Sequence, residues 1–120
     1  MTRTLLTAIF LTLFSQTAWA KNVYYCNGSH FTEFKGGKLE NYKPENFKFS
    51  VDQKRLIFGA KGFFDELELK IVNWSKKDSW QASNDVTIVT FNEGQFVSAT
   101  SGTDLKGVIG ILIAADCDEF

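Results

Sequence analysis

Apolar and polar residues alternate with a period of two through much of this chain. In "FKFSV", Phe47, Phe49 and Val51 share one face, while Lys48 and Ser50 share the other. That is the pattern of a half-buried strand. Asp52-Gln53-Lys54 follows, and "RLIF" then reads as the second arm of a hairpin. "ELELKIV" sets Leu67, Leu69 and Ile71 inward against Glu66, Glu68 and Lys70. "VTIVTF" and "QFVSAT" flank Asn92-Glu93-Gly94, a turn with glycine where a positive φ is tolerated. "GVIGILIAA" is apolar on both faces and predicts a buried strand, with Gly110 at a bulge or close approach.

Toward the beginning, "VYYC" and "HFTEF" predict two strands around an Asn27-Gly28 turn. Gly36-Gly37 and "ENYKPEN" predict a longer loop that carries Pro44, the only proline. "TSGTD" predicts another turn. Helix signals are nearly absent after the first twenty residues. Eight or nine short strands with evenly spaced turns predict an all-β domain. The expected architecture is a small antiparallel meander forming a closed or nearly closed barrel, with a β-sandwich as the alternative.

The opening "MTRTLLTAIFLTLFSQTAWA" changes the picture of where the domain works. Arg3 supplies a positive start, Leu5–Phe14 an apolar run, and Ala18-Trp19-Ala20 a small-x-small cleavage signal. Residues 1–20 read as a secretory signal peptide, cleaved near Ala20. The apolar run is shorter than the roughly 18–20 residues a membrane span needs. The domain is then 21–120, secreted or periplasmic. Twelve basic and fourteen acidic residues remain after Arg3 is removed, a net charge of −2. That balance gives no electrostatic case for nucleic acid or for an anionic membrane.

Cys26 and Cys117 are the only cysteines. Export places them where thiols oxidise, and one intramolecular bridge is available. It would fasten the first strand to the last. A disulfide holds its Cα atoms about 4.4–6.8 Å apart, so in a meander the bridge would close the sheet and remove its edges.

Candidate chemistry is sparse. His30 is the only histidine and lies beside a predicted turn, where a solvated side chain is the ordinary outcome. A zinc site of Cys26, His30 and Cys117 would lack a fourth ligand and compete with the bridge. No metal site or cofactor is expected. Whether two carboxylates meet as in glycoside hydrolysis depends on spatial distance, which sequence does not set. "NWSKKDSW" is the most suggestive stretch. Trp74 and Trp80 flank a turn that carries Lys76 and Lys77; exposed indoles stack on sugars or bases and lysines meet phosphates. Against this stands a packing role for both tryptophans at strand ends. The expectation is that Trp80 supports the fold and that Trp74, Lys76 and Lys77 form the candidate binding surface. Asn27-Gly28-Ser29 and Asn73-Trp74-Ser75 fit the glycosylation acceptor pattern, at a frequency that chance alone supplies.

"VYYCNGSHFTEF", together with the signal peptide, the size and the single bridge, resembles bacterial C-type lysozyme inhibitors of the membrane-bound or periplasmic type. The resemblance implies a small β-barrel that inserts a loop into lysozyme. The motif that marks those inhibitors is Ser-Gly-x-x-Tyr-like; here Ser101-Gly102 is followed by no tyrosine, so the functional residues do not carry over. The ending, a Gly- and Ala-rich strand before Cys117–Phe120, also resembles small exported bacterial proteins with no assigned activity. The function expected is therefore a non-catalytic exported binding or interaction domain, with a secreted or periplasmic protein among its candidate partners. The alternatives are an inhibitor of a secreted hydrolase such as lysozyme and a carrier of a small apolar ligand.

Overall fold

A computed structural model describes residues 22–104 and 107–120; the predicted signal peptide lies outside them. Nine strands follow in order: β1 Asn22–Lys35, β2 Lys38–Asn41, β3 Asn46–Asp52, β4 Arg55–Phe58, β5 Glu68–Lys76, β6 Ser79–Ser83, β7 Thr87–Asn92, β8 Gln95–Asp104 and β9 Gly107–Glu119. All neighbours are antiparallel. The order is β2-β1-β3-β4-β5-β6-β7-β8-β9, and β1 pairs again with β9. Eight strands thus close a barrel, and β2 stands outside it. The barrel expectation holds, and the sandwich alternative does not.

The closure is the longest ladder in the molecule. It runs from Tyr24–Glu119 to Lys35–Ile109, with Cys26 directly opposite Cys117. The two cysteines are bonded, their Cα atoms 4.0 Å apart and 91 residues apart in sequence. The bridge is one rung of the seam between the first and last strands.

β1 is a single strand where the sequence predicted two around a turn. Its register shifts between Gly28 and His30. The bulge inserts an extra residue and reverses the alternation. Tyr24 and Cys26 face the core before it, and Phe31 turns inward after it. Gly28 is required there, because a Cβ would collide with the Glu45 carbonyl oxygen where β3 parts from β1. Beyond this point β1 exchanges β3 for β2 as its partner. The predicted loop at Gly36-Gly37 is a two-residue turn with φ of 60° and 77°. Two consecutive positive φ values make the turn type whose twist suits a hairpin. "TSGTD" is likewise strand: Ser101, Gly102 and Thr103 pair with Gly110, Ile109 and Val108.

Aromatic rings fill the interior. Phe49, Phe91 and Phe96 are at most 1% exposed. Phe58 stacks on Phe64 at 4.2 Å between centroids, and Phe47 meets Phe96 at 4.9 Å. Phe64 comes from the loop between β4 and β5, which folds across the barrel end where β1 and β3 part. The remaining crevice there, between Phe31, Phe47 and Phe63, holds only about 10 Å³. That is at the lower limit of what a single water molecule needs. The opposite end carries the β3–β4, β5–β6 and β7–β8 turns, the start of β1 and the end of β9.

Breaking the bridge should cost about 2–5 kcal/mol, the range for a native disulfide in a small domain. For about 100 residues this is a fall in melting temperature on the order of 10 °C or more. Thermal melts of oxidised protein, reduced protein and Cys26→Ser measure it. Equal melting temperatures would mean that the ladder alone holds the seam.

Candidate binding site at the tryptophan rim

The β5–β6 hairpin builds the most chemically distinctive surface. β5 carries two bulges, at Val72 and at Ser75, between the pairs Ile71–Ala82, Asn73–Gln81, Trp74–Trp80 and Lys76–Ser79. They interrupt the regular register of the strand end beside the turn. Trp80 is 2% exposed and packs on Phe91 at 5.0 Å and Phe49 at 5.9 Å. Trp74, its cross-strand partner, is 52% exposed. An indole half in water yet fixed on a paired strand is a ready contact surface, with large area and few rotamers to freeze.

Trp74 lines a surface groove of about 470 Å³ over the outer faces of β5, β6 and β7. Asn73, Gln81 and Thr90 cross its floor in one row. Asn73 Nδ2 donates to Gln81 Oε1 at 3.2 Å, and Gln81 Nε2 donates to Thr90 Oγ1 at 3.4 Å. Ser75, Ser79 and Asn92 add further polar groups, and Trp80 and Phe91 complete the lining. No lining residue is ionisable. The groove offers amide and hydroxyl groups that both donate and accept, and Trp74 is among its lining residues. A second groove of about 520 Å³ lies on Gln53, Lys54, Ile71, Val72 and Trp74.

Lys76 ends β5, and Lys77 begins the turn. Both are used within the molecule. Lys76 Nζ pairs with Glu93 at 2.9 Å, and Lys77 Nζ with Glu119 at 2.8 Å. These pairs raise both ammonium pKa values, chiefly through the hydrogen bond each lysine donates to its glutamate. Tyr24 Oη donates to Asp78 Oδ1 at 2.8 Å, and the Glu93 amide donates to the Asp78 carbonyl at 2.7 Å. The turn is thereby tied to β1, to β9 and to the β7–β8 turn. Exposed ion pairs contribute little energy singly, but here they fix one geometry around Trp74. The structure thus joins Trp74 to a row of neutral side chains that sequence reasoning passed over. The signal was present in the outward polar positions of β5, β6 and β7.

The other candidates lie elsewhere. His30 Nδ1 is 3.3 Å from Ser29 Oγ, its exposed neighbour in sequence. Glu33 and Glu40 face each other across β1 and β2, with Tyr42 Oη 3.1 and 2.8 Å from their carboxylates. Ser101-Gly102 sits inside the β8–β9 ladder. Among the described residues no group of three or more His, Cys, Asp or Glu is placed to hold a metal ion, and no helix is long and apolar enough to cross a membrane. "GVIGILIAA" is exposed on its outer face: Val108 is 59% and Leu112 47% exposed. Its inward residues face the core, but nothing covers the other side among the described residues. With Phe34, Ile88 and Val97 these side chains form an outer apolar face opposite the charged β3–β5 side.

No family model, no curated protein and no solved structure matches this chain.

The surroundings of two tyrosines imply a sensitivity to alkali. Burial raises the Tyr24 phenol far above the ordinary tyrosine range, helped by its hydrogen bond to Asp78 and by the charges of Asp78 and Glu119. The Tyr42 phenol is pushed up to about 12, first by its hydrogen bond to Glu40 and then by that to Glu33. A raised pKa means that the folded state keeps a proton which the unfolded chain loses near pH 10. Stability from these phenols is complete below about pH 10 and declines as pH rises through the folded-state values. Melting temperatures measured from pH 8 upward should fall beyond pH 10, and Tyr24→Phe should flatten that fall. An unchanged slope in the variant would remove Tyr24 as its source.

Proposed function

We propose that the protein is an exported, non-catalytic binding domain that recognises uncharged saccharide. The observation that carries this reading is a groove with no ionisable lining, with the half-exposed Trp74 among its residues. A sugar ring presents an apolar face of C–H groups and an edge of hydroxyls. The indole matches the first, and the Asn73–Gln81–Thr90 row matches the second. Recognition built from a few convergent polar groups and an aromatic wall is the usual composition of small-ligand sites.

The local electrostatics favour a neutral ligand. Lys76 and Lys77 are paired with glutamates, and the chain from Lys21 on is net negative. Nucleic acid would need phosphates neutralised by available cations. The carrier alternative calls for interior space, and the rings of Phe49, Phe58, Phe64, Phe91 and Phe96 occupy the core. The cysteines are bonded and hold no thiol nucleophile. The disulfide and the leader-like N-terminal sequence support export.

The test is Trp74 fluorescence and isothermal titration against neutral oligosaccharides, a chitin oligomer and a β-1,4-glucan oligomer, with an acidic oligosaccharide as control. Binding of a neutral oligomer should weaken about tenfold or more in Trp74→Ala, equivalent to 1.4 kcal/mol. The melting temperature should change little, because the side chain is half exposed. No binding of any neutral oligomer at millimolar concentration would overturn the saccharide reading. A stability loss of several kcal/mol in Trp74→Ala would assign the indole to the core.

A further inference from the structure

The β1–β2 hairpin reads "EFKGGKLE", nearly the same from either end. Folding it at Gly36-Gly37 therefore places like residues opposite like. The register pairs Lys35 with Lys38, Glu33 with Glu40, and Phe34 with Leu39. Like charges directly opposite on a sheet repel. Among the described residues Lys35 and Lys38 make no ion pair, and the Tyr42 hydroxyl, with one proton, serves two glutamates. The pattern is unfavourable within one copy. β2 also stands at the end of the strand order, so its second edge is unpaired, and Leu39 is 73% exposed.

We infer that β2 pairs with β2 of a second copy of this chain, antiparallel about a two-fold axis through Leu39. In that register Leu39 meets its own symmetry mate, and Lys38 of each copy meets Glu40 of the other. The charges then run Lys35, Lys38, Glu40, Glu33 across the joined sheets on one side of the axis, and in the reverse order on the other. Each like-charged pair gains an opposite neighbour. On the outer face Phe34, Leu39 and their mates form one continuous apolar row. A two-fold interface needs a self-complementary surface, and this short segment is self-complementary in charge, hydrogen bonding and hydrophobicity together. The edge is short, so the dimer is weak and salt-sensitive. Its two Trp74 grooves lie away from the contact and remain open.

Sedimentation of the oxidised exported chain, from micromolar to millimolar concentration and at low and high salt, tests the inference. A monomer–dimer equilibrium weakened by salt is expected. Lys38→Glu and Glu40→Lys should each weaken self-association about tenfold or more, because like charges then face across the axis. Mixing the two variants should restore dimerisation as a heterodimer. Unchanged melts would show that both variants are folded. A monomer at every concentration overturns the proposal. So does a dimer that strengthens with salt or ignores the charge reversals, since that would point to the apolar face instead. None of these outcomes bears on saccharide binding.

Discussion

The pairing of β1 with β9 is the constraint on which everything else rests. An eight-stranded meander has two edges until its first and last strands meet. Those strands lie 91 residues apart at the cysteines, so closing them is an entropically late and costly contact. Once made, it brings Tyr24, already opposite Phe49 through β3, against Phe91 across the barrel, and it fastens β1 to a β9 whose Cys117 amide donates to the Gly94 carbonyl at 2.7 Å. The disulfide secures one rung of a ladder that hydrogen bonds already define.

The rim inherits its rigidity from that seam. Tyr24 on β1 holds Asp78, and Glu119 on β9 holds Lys77. Trp74 thereby lies on a strand whose turn is fastened to both closing strands. A rigid aromatic platform loses little conformational entropy when a ligand settles on it. At the other end the same two strands run past the barrel and carry β2. The proposed binding surface and the proposed self-association surface thus lie toward opposite ends of the barrel.

Much of the architecture was legible because burial and alternation are coupled. Phe47, Phe49 and Val51, or Leu69 and Ile71, can face a core only in one register. The cysteine pairing followed from there being two. What was not legible depended on exceptions to the period of two. The β1 bulge made one strand look like two, because Asn27-Gly28 has the composition of a turn. Gly36-Gly37 was read as part of a long loop because β2 is short and has no alternation toward a core. "GVIGILIAA" was read as buried on both faces, since sequence does not reveal that only one face of the sheet is covered. Trp74 and Trp80 were separable because they flank a turn, yet the neutral row beside Trp74 emerges only when three strands are set side by side. Sequence places Lys76 and Lys77 at the turn but not their partners, because Glu119 comes from β9 and Glu93 from the β7–β8 turn.

Native-state hydrogen exchange of the oxidised protein tests the dependence on the seam most directly. The account predicts that amides of Tyr24–Asn27 and Ala115–Cys117 exchange only through global unfolding, and that hydrogen-bonded amides of the Trp74–Trp80 hairpin are protected to a comparable degree. The β2 tip should exchange much faster. Seam amides that open in a separate, lower-energy event while β3–β8 stay protected would contradict the claim that the barrel and its rim depend on this closure.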